Sequence, residues 1–327
     1  MTTPAPDPNS IVWFRDRHVR LGDAQVNILT HGLNYGTGVF EGIRGYWDER
    51  QRELYLNRAE DHYRRWKHNC GILRLKVGPT PAELCEITAE LCRRNQFQQN
   101  VYVRPIAYKS AARIGVHADD QDEWAIVVVP YGEYFASEGG LKAGVSSWRR
   151  VDDNAIPGRA KICGAYVNSV LAGGEARDNG HDEAIFLTQD GHVCEAAAAN
   201  IFMVRDGRLL TPPVTDNILE GITRASVIEL ARRELRLEVE ERSIDRSELY
   251  ICDELFLVGT AVEVAPITQV DHRPVGTGEP GGVTEQLRAL YADAVRGRLA
   301  AYRHWLWPVL RAAERPAPRQ TTEAIRA

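Results

Sequence analysis

The sequence lacks a strong charge of either sign and any long apolar run. Its 40 basic and 45 acidic residues leave a formal net charge of -5 and a pI near 6.0, a balance that does not attract nucleic acids or anionic membranes. The longest apolar run, at residues 125–129, is too short to cross a bilayer. The first ten residues are polar and proline-rich, unlike a secretory signal. These absences favour a soluble, cytoplasmic enzyme that acts on small molecules.

Cysteine is sparse, and its spacing is unlike that of a zinc site. The chain has six cysteines and no C-x-x-C pair, so reduced and mostly buried thiols are expected. His181 and His192 flank a predicted hairpin, but no carboxylate or thiol lies at ligand spacing beside them. The sequence therefore predicts no metal.

Lysine is scarce, and its scarcity singles out one position. Five lysines occur among the 40 basic residues, at positions 67, 76, 109, 142 and 161. Four have neighbours typical of solvated surface, whereas Lys161 lies in PGRAKICGA among small and apolar residues. Only an amine loses its proton and forms a Schiff base, and desolvation lowers its pKa. Lys161 is therefore a candidate nucleophile, and a lysine snorkelling from a helix end is the alternative.

Length and hydrophobic periodicity predict an α+β protein of two domains. The 327 residues exceed a typical domain, and an apolar content of 44% suffices for a large core. A smaller first domain, residues 1–130, is predicted from short β-type runs, a helical pattern and two strands, at residues 11–55, 58–94, 101–108 and 124–130. An interdomain loop is predicted at residues 131–142 because two adjacent glycines and several aromatics there show no period.

Two Asp-Gly turns predict an antiparallel meander in the second half. Asp190-Gly191 and Asp206-Gly207 each join two apolar runs. The larger domain, residues 143–300, adds predicted strands at 143–148, 237–242 and 254–258 and helices at 161–177 and 222–235. A C-terminal tail at residues 301–327 carries two tryptophans, and disorder is predicted for its last dozen residues.

Six separated motifs occur along the chain. They are HGLNYGTGVFEGIRGY from His31, YVRP from Tyr102, SSWRR from Ser146, NAIPGRAK ending at Lys161, LEGITR from Leu219 and LVGTAVEV from Leu257. Their order over residues 11–291 resembles class IV aminotransferases, and most closely the branched-chain amino acid aminotransferases. The resemblance implies the α+β, two-domain pyridoxal-phosphate fold type IV, with a smaller N-terminal α/β domain and a larger C-terminal domain built on an antiparallel, barrel-like sheet.

The resemblance also implies a cofactor site for pyridoxal 5'-phosphate. Lys161 resembles the lysine that binds the cofactor covalently and shuttles a proton, and Glu195 the carboxylate that keeps the pyridine nitrogen protonated. Tyr166 resembles the tyrosine bonded to the phenolic oxygen. The other implied cofactor ligands are Arg58, Leu219, Gly221, Ile222, Thr223 and Thr260, which include the start of a predicted helix. Without the resemblance, Glu195 would be interpreted as a strand-edge carboxylate and Tyr166 as core.

The implied substrate pocket must accept both an apolar side chain and the γ-carboxylate of glutamate. Tyr102 and Arg104 project from one strand face, and the resemblance assigns the γ-carboxylate to Arg104; pairing of Arg104 with a neighbouring carboxylate is the alternative. The other implied pocket residues are Tyr35, Phe40, Gly42, Tyr131, Tyr134, Gly259, Thr260 and Ala261. The resemblance thus implies transfer of the amino group of L-leucine, L-isoleucine or L-valine to 2-oxoglutarate by a homodimer or higher homo-oligomer.

Several residues depart from the family pattern and touch the pocket. Ala196, Ala199, Glu220 and Tyr131 stand where the family often has glycine, glutamate, proline and tryptophan. Related enzymes of this fold act on D-amino acids or (R)-amines, or release pyruvate from aminodeoxychorismate, and these alternatives stay open.

Two other classes of protein are less well supported. The glycines at 36, 38 and 42 give G-x-G-x-x-x-G, without the βαβ unit of a nucleotide-binding oxidoreductase. An inert binding protein with the same fold is the other alternative, and the presence of Lys161 and Glu195 argues against it.

Overall fold

The computed structural model describes residues 6–132 and 139–310, and their strands form two sheets. The α-helices of the described residues are α1 His31–Tyr35, α2 Ala59–Ile72, α3 Pro81–Arg94, α4 Tyr166–Asp178, α5 Ile222–Arg233 and α6 Gly282–Ala294. The strands of the first sheet are β1 Ile11–Phe14, β2 Arg17–Arg20, β3 Gly38–Phe40, β4 Ile43–Asp48, β5 Glu53–Asn57, β6 Val101–Lys109, β7 Asp122–Pro130 and β17 Leu306–Pro308. The strands of the second sheet are β8 Leu141–Arg149, β9 Glu183–Leu187, β10 Val193–Ala196, β11 Asn200–Arg205, β12 Arg208–Thr211, β13 Val239–Glu241, β14 Glu254–Gly259, β15 Glu263–Val270 and β16 Arg273–Pro274.

The first sheet is antiparallel and has the order β17-β5-β4-β6-β7-β1-β2, with β3 paired to β6. Helices α2 and α3 cover one face, where Trp66 and Leu84 pack with strand residues such as Ile43 in a buried core. The predicted break between the two helices is confirmed. Helix α3 begins after Thr80, whose side chain forms a capping box with Glu83.

The second sheet is mixed rather than an antiparallel meander, so that prediction is wrong. Both Asp-Gly turns join antiparallel strands, β9 to β10 and β11 to β12. However, β8 pairs in parallel with β9 and β15, and β12 pairs in parallel with β13. Parallel neighbours need a crossover connection, and α4 and α5 supply it after β8 and β12 respectively. The local turn signals do not report these long-range pairings.

The helix predicted at residues 161–177 begins later than expected, at Tyr166. Lys161 precedes it in an extended segment, where the Phe40 amide donates to the Lys161 carbonyl at 3.1 Å and Ile162 bridges to Val39. Gly164 and Gly36 then approach so closely that a Cβ on Gly36 would lie 2.7 Å from the Gly164 Cα. Docking against β3 therefore overrides helix propensity at this point.

The C-terminal strand β17 completes the edge of the first sheet. It pairs antiparallel with β5, and the buried Glu53 carboxylate accepts the backbone amides of Val309 and Leu310 at 3.2 and 2.8 Å. Part of the predicted tail thus belongs to the same sheet as residues from the predicted first domain. The predicted disordered end lies outside the described residues, and the domain boundaries stay a prediction.

Three further observations concern predicted absences. Within the described ranges, no helix is long and apolar enough to span a membrane, and no cluster of three metal-ligating side chains occurs. His181 packs on His272 with ring centroids 4.6 Å apart, and His192 lies 3.6 Å from Asp245. Residues 36–42 leave the short helix α1 for β3, which is antiparallel to its neighbour β6. This is not the setting of a nucleotide-binding glycine motif.

Candidate active site

A cavity of about 610 Å³ lies where the two sheets meet, and most of the predicted site residues line it. Those that do are Phe40, Gly42, Tyr102, Arg104, Tyr131, Lys161, Tyr166, Glu195, Leu219, Gly221, Ile222, Thr223, Gly259, Thr260 and Ala261. They come from segments more than two hundred positions apart in the chain. Tertiary folding therefore brings the separated motifs together at one place.

Lys161 is held inside the cavity with its amine against a phenol. Its Nζ donates to the Tyr166 hydroxyl at 2.6 Å and lies 5.3 Å from the centre of the Phe40 ring. Burial lowers the pKa of the amine, but the Tyr166 phenol and the Glu41 carboxylate outweigh it and raise the pKa overall. The expectation that desolvation alone sets this pKa is therefore wrong.

Glu195 is a buried carboxylate on β10 with three donors. Its Oε1 lies 2.7 Å from Nη2 of Arg150, and its Oε2 accepts from Asn200 Nδ2 at 2.9 Å and from the Leu219 amide at 3.1 Å. Burial lowers the pKa of Arg150, but the nearby Glu195 carboxylate raises it overall, so the cation is retained. The alternative of a solvent-facing carboxylate is wrong, because Glu195 is only 4% exposed.

The start of helix α5 forms an anion-binding edge of the cavity. Gly221 is the N-cap, and the first N–H groups of a helix have no partner within it. A Cβ on Gly221 would lie 2.0 Å from Asn200 Oδ1, while Asn200 Nδ2 donates to the Leu219 carbonyl at 3.0 Å. Asn200, which is not among the residues predicted from the sequence, thus joins Glu195 to this helix start.

Arg65 lines the cavity, whereas the sequence predicts Arg58 as the arginine of the site. The Arg65 guanidinium donates to the Glu41 carboxylate at 2.6 and 2.9 Å and to the Glu220 carbonyl at 2.6 Å. His62 Nδ1 lies 3.0 Å from the same carboxylate. Burial raises the pKa of Glu41, but Arg65 and His62 lower it well below the usual value. The helical spacing of positions 58, 62 and 65 is the sequence signal for this shared face.

Arg58 and Tyr35 are not among the residues that line the cavity. Arg58 donates to Asp61 at 2.7 Å and to Ser226 of α5 at 3.1 Å, and its backbone amide donates to the Trp305 carbonyl at 2.6 Å. Tyr35 is 38% exposed, and its hydroxyl accepts from the Gly115 amide at 2.9 Å. Tyr134 lies outside the described residues.

Aromatic rings and a cation form the opposite side of the cavity. Nη2 of Arg104 donates to the Tyr102 hydroxyl at 3.2 Å, and its guanidinium carbon lies 4.4 Å from the centre of the Phe40 ring. The described residues include no carboxylate paired with Arg104. A Cβ on Gly42 would lie 2.0 Å from the Tyr102 hydroxyl, so only glycine leaves room for that ring. The Tyr131 ring lies 5.1 Å from Tyr102.

The chain is similar to proteins of known family and structure. Residues 38–270 match the family described as Amino-transferase class IV. A probable branched-chain-amino-acid aminotransferase of Aquifex aeolicus is 46% identical over 91% of this chain and 96% of its own length. The branched-chain-amino-acid aminotransferase of Escherichia coli K12 is 38% identical over 94% of this chain and 98% of its own.

Solved structures agree with these relatives. The branched-chain aminotransferase of Thermoproteus uzoniensis with norvaline has a TM-score of 0.87 and 42% identity, covering 92% of this chain and 99% of that one. A branched-chain amino acid aminotransferase complexed with N-(5'-phosphopyridoxyl)-L-glutamate, from the source abbreviated T.th., has a TM-score of 0.87 and 38% identity over 92% and 99%. The Thermobaculum terrenum enzyme in its PLP form has a TM-score of 0.88 and 40% identity over 93% and 100%.

The buried ion pair of Glu41 with Arg65 predicts a pH-dependent stability. Glu41→Gln should lower the free energy of unfolding by about 3 kcal/mol at pH 7, because it leaves a buried guanidinium without its charge partner. The pKa of Glu41 is lower in the folded than in the unfolded state. Its charge therefore stabilises the fold above about pH 4, and this contribution is lost as the pH falls further. Urea denaturation across this range measures the effect.

Glu60→Gln is the matched control on the same helix, since Glu60 is 50% exposed and pairs with Arg64 at 3.1 Å. It should cost less than about 1 kcal/mol at any pH. A deficit of Glu41→Gln that stays constant from pH 7 to pH 3 would contradict the assignment of a charged, buried Glu41.

Proposed function

Because the chain belongs to the class IV aminotransferase family, we propose that it transfers the amino group of L-leucine, L-isoleucine or L-valine to 2-oxoglutarate. The observation that carries the proposal is one cavity containing Lys161, the buried carboxylate Glu195 and the cation Arg104. The named relatives, 38–46% identical over most of the chain, are branched-chain aminotransferases. Two of the similar structures hold PLP or a phosphopyridoxyl glutamate.

The cofactor of this transaminase is pyridoxal 5'-phosphate, and the cavity residues suit each part of it. Glu195 suits the pyridine nitrogen, since its carboxylate is already fixed by three donors, and Tyr166 suits the phenolic oxygen. Phosphate suits the start of α5, where the Gly221 cap leaves amides available. When bound, the cofactor supplies a reactive aldehyde and a ring that accepts electrons.

Arg65 replaces Arg58 in our proposal as the arginine that contacts the phosphate. Arg65 lines the cavity and donates to the carbonyl of Glu220, one residue before the cap of α5. A guanidinium beside a helix start adds charge-assisted bonds to the backbone donors. Arg58 supports the same helix through Ser226. Its role is therefore indirect.

Lys161 performs the proton transfer in the proposed reaction. Its Nζ lies beside the Tyr166 hydroxyl, so the amine, once released from the cofactor, stays within reach of the substrate Cα. There it accepts the Cα proton and returns it to the cofactor carbon. Glu195, held by Arg150 and Asn200, keeps the ring nitrogen protonated throughout. Because the amino group is carried between two substrates in separate steps, ping-pong kinetics are expected.

Trapping tests the covalent role of Lys161. Borohydride reduction of the holoenzyme should attach the cofactor to the peptide that contains Lys161 and abolish activity. Lys161→Arg keeps the charge but forms no imine, so it should take up no label and lose activity by a factor on the order of 10³ or more. Mass spectrometry of the digested protein locates the label. A label on one of the other four lysines would refute the assignment.

Arg104 should separate the two substrate classes. Arg104→Ala should lower kcat/KM for glutamate and 2-oxoglutarate by about tenfold to a hundredfold, the loss of a charge-assisted bond. Activity with L-leucine should change much less, because an apolar side chain gains nothing from the guanidinium. Steady-state kinetics with each substrate measures the difference.

Arg94→Ala is the control for this variant, because Arg94 is half exposed on α3 and pairs with Glu90 within the helix. It should leave both substrates unaffected. Equal losses with leucine and glutamate in Arg104→Ala would count against the proposal. The same assay, extended to D-amino acids and (R)-1-phenylethylamine, should show the L-branched donors to be preferred; a preference for another donor would favour the alternative activities.

A homodimer is part of the proposal. Large apolar side chains are exposed in two neighbouring segments and on one face of α4, namely Val26, Ile28, Leu29, Leu33, Tyr35, Ile114 and Val116, and Val167, Val170 and Leu171. The two segments adjoin through the bridge between Thr30 and Ala112. Apolar exposure on this scale is typical of an interface between subunits. Tyr35, absent from its own cavity lining, is then available to the partner's cavity.

Sedimentation velocity tests this arrangement. The wild type should sediment as a dimer or a higher oligomer, and Val167→Asp with Val170→Asp should shift it toward monomer with loss of activity, because the change buries charges at the interface. Ile251→Asp is the control, since Ile251 is 61% exposed outside these segments, and should leave assembly unchanged. A fully active monomer would overturn the proposal.

A further inference from the structure

Arg44 is a buried cation that the proposed chemistry does not use. It lies on β4 opposite Tyr102 of β6, so its side chain emerges on the same sheet face as the aromatic pocket residue. The residue is only 3% exposed. A guanidinium this deeply buried costs stability unless it is paired and hydrogen-bonded. Its contacts therefore indicate what it is for.

Those contacts join three separate parts of the chain. Nη1 donates to the Ala261 carbonyl at 2.9 Å and lies 3.1 Å from the Glu263 carboxylate, while Nη2 donates to the Gly132 carbonyl at 2.8 Å. The guanidinium carbon also lies 5.1 Å from the centre of the Tyr131 ring. One side chain of the first sheet thus contacts the β14–β15 turn and the entry to the predicted interdomain loop.

The turn that Arg44 contacts is conformationally demanding. Residues 260–262 connect Gly259 to its cross-strand partner Glu263, and Glu263 has a φ of 57°. This left-handed conformation costs a non-glycine residue about 1 kcal/mol or more. Arg44 holds the Glu263 side chain and the Ala261 carbonyl, so it stabilises this conformation from outside the hairpin. Gly259, Thr260 and Ala261 line the cavity on the other side.

We propose that Arg44 is a positioning residue for the carboxylate-binding turn at residues 259–261. By fixing the Ala261 carbonyl and the Glu263 carboxylate, it sets the direction of the turn amides that receive the substrate α-carboxylate. By fixing Gly132 as well, it holds the turn in register with the first sheet. The inference rests on the proposed function, which assigns the α-carboxylate to this turn.

A pair of small aminooxy compounds isolates this effect from catalysis. Aminooxyacetate and O-methylhydroxylamine both replace the Lys161 amine on the cofactor aldehyde carbon, but only aminooxyacetate carries a carboxylate. The ratio of their second-order rate constants, followed by the cofactor's absorbance, therefore reports carboxylate recognition. Arg44→Met should lower this ratio by about tenfold to a hundredfold, the scale of a misplacement of about 1 Å. The rate with O-methylhydroxylamine and the cofactor dissociation constant should stay within about twofold of wild type.

Three variants calibrate the result. Arg296→Met removes the other guanidinium that lies 5.3 Å from the Tyr46 ring, as Arg44 does, but Arg296 donates to the Ala292 carbonyl rather than to the turn; it should leave the ratio unchanged. Arg44→Lys should recover part of the ratio, because an ammonium donates to fewer of the three oxygens at once. Glu263→Gln keeps a hydrogen-bond acceptor for Arg44 and should cause a smaller loss than Arg44→Met.

The outcomes distinguish the inference from the proposed function. A wild-type preference for aminooxyacetate that persists in folded, cofactor-loaded Arg44→Met would overturn the role of Arg44 alone. Absence of reaction of the wild type with both compounds would overturn the proposed function. If Arg44→Met does not fold, Arg44→Lys and Glu263→Gln decide, and ratios equal to wild type in both would again overturn the inference.

Discussion

Charge pairing inside a largely buried cavity is the constraint on which this structure depends. Carboxylates and guanidiniums that leave water lose several kcal/mol of solvation unless partners compensate. Here the compensation is built from oppositely charged neighbours on different elements, Glu195 with Arg150 and Glu41 with Arg65. Each pair therefore fixes the relative position of two chain segments as well as the charge of a side chain.

Strand β4 shows how one element serves the core and the site together. Ile43 and Trp47 face the helices and belong to the apolar core of the first sheet. Arg44 and Tyr46, at the alternate positions, face the second sheet, where Tyr46 packs in the core that contains α5 and α6. The period of two therefore places stability on one face and substrate recognition on the other. A shift of one residue would exchange them.

Much of the fold and site could be predicted from sequence because the signals were local or came in motifs. The break between α2 and α3, the hairpin at Asp206-Gly207 and the position of Lys161 are of this kind. The parallel strand pairs could not, since they depend on crossovers between distant segments. The late start of α4 could not either, because close glycine packing against β3 decides it.

The choice between arginines shows a second limit. Arg58 and Arg65 lie on or beside the same helix, and their neighbours in sequence give no reason to prefer either. What separates them is the buried Glu41, which reaches Arg65 from outside that helix. Selecting a ligand among many arginines requires knowing which one a buried carboxylate orients. That information is tertiary.

The C-terminal strand has a consequence for how the chain is made. Its partner β5 lies some two hundred and fifty positions earlier in the chain. On the ribosome, the β5 edge of the first sheet must therefore wait unpaired until nearly the whole polypeptide has emerged. An open strand edge is a template for association with other chains. Nascent-chain protection by chaperones is thus most needed late in synthesis, at the edge that β17 finally covers.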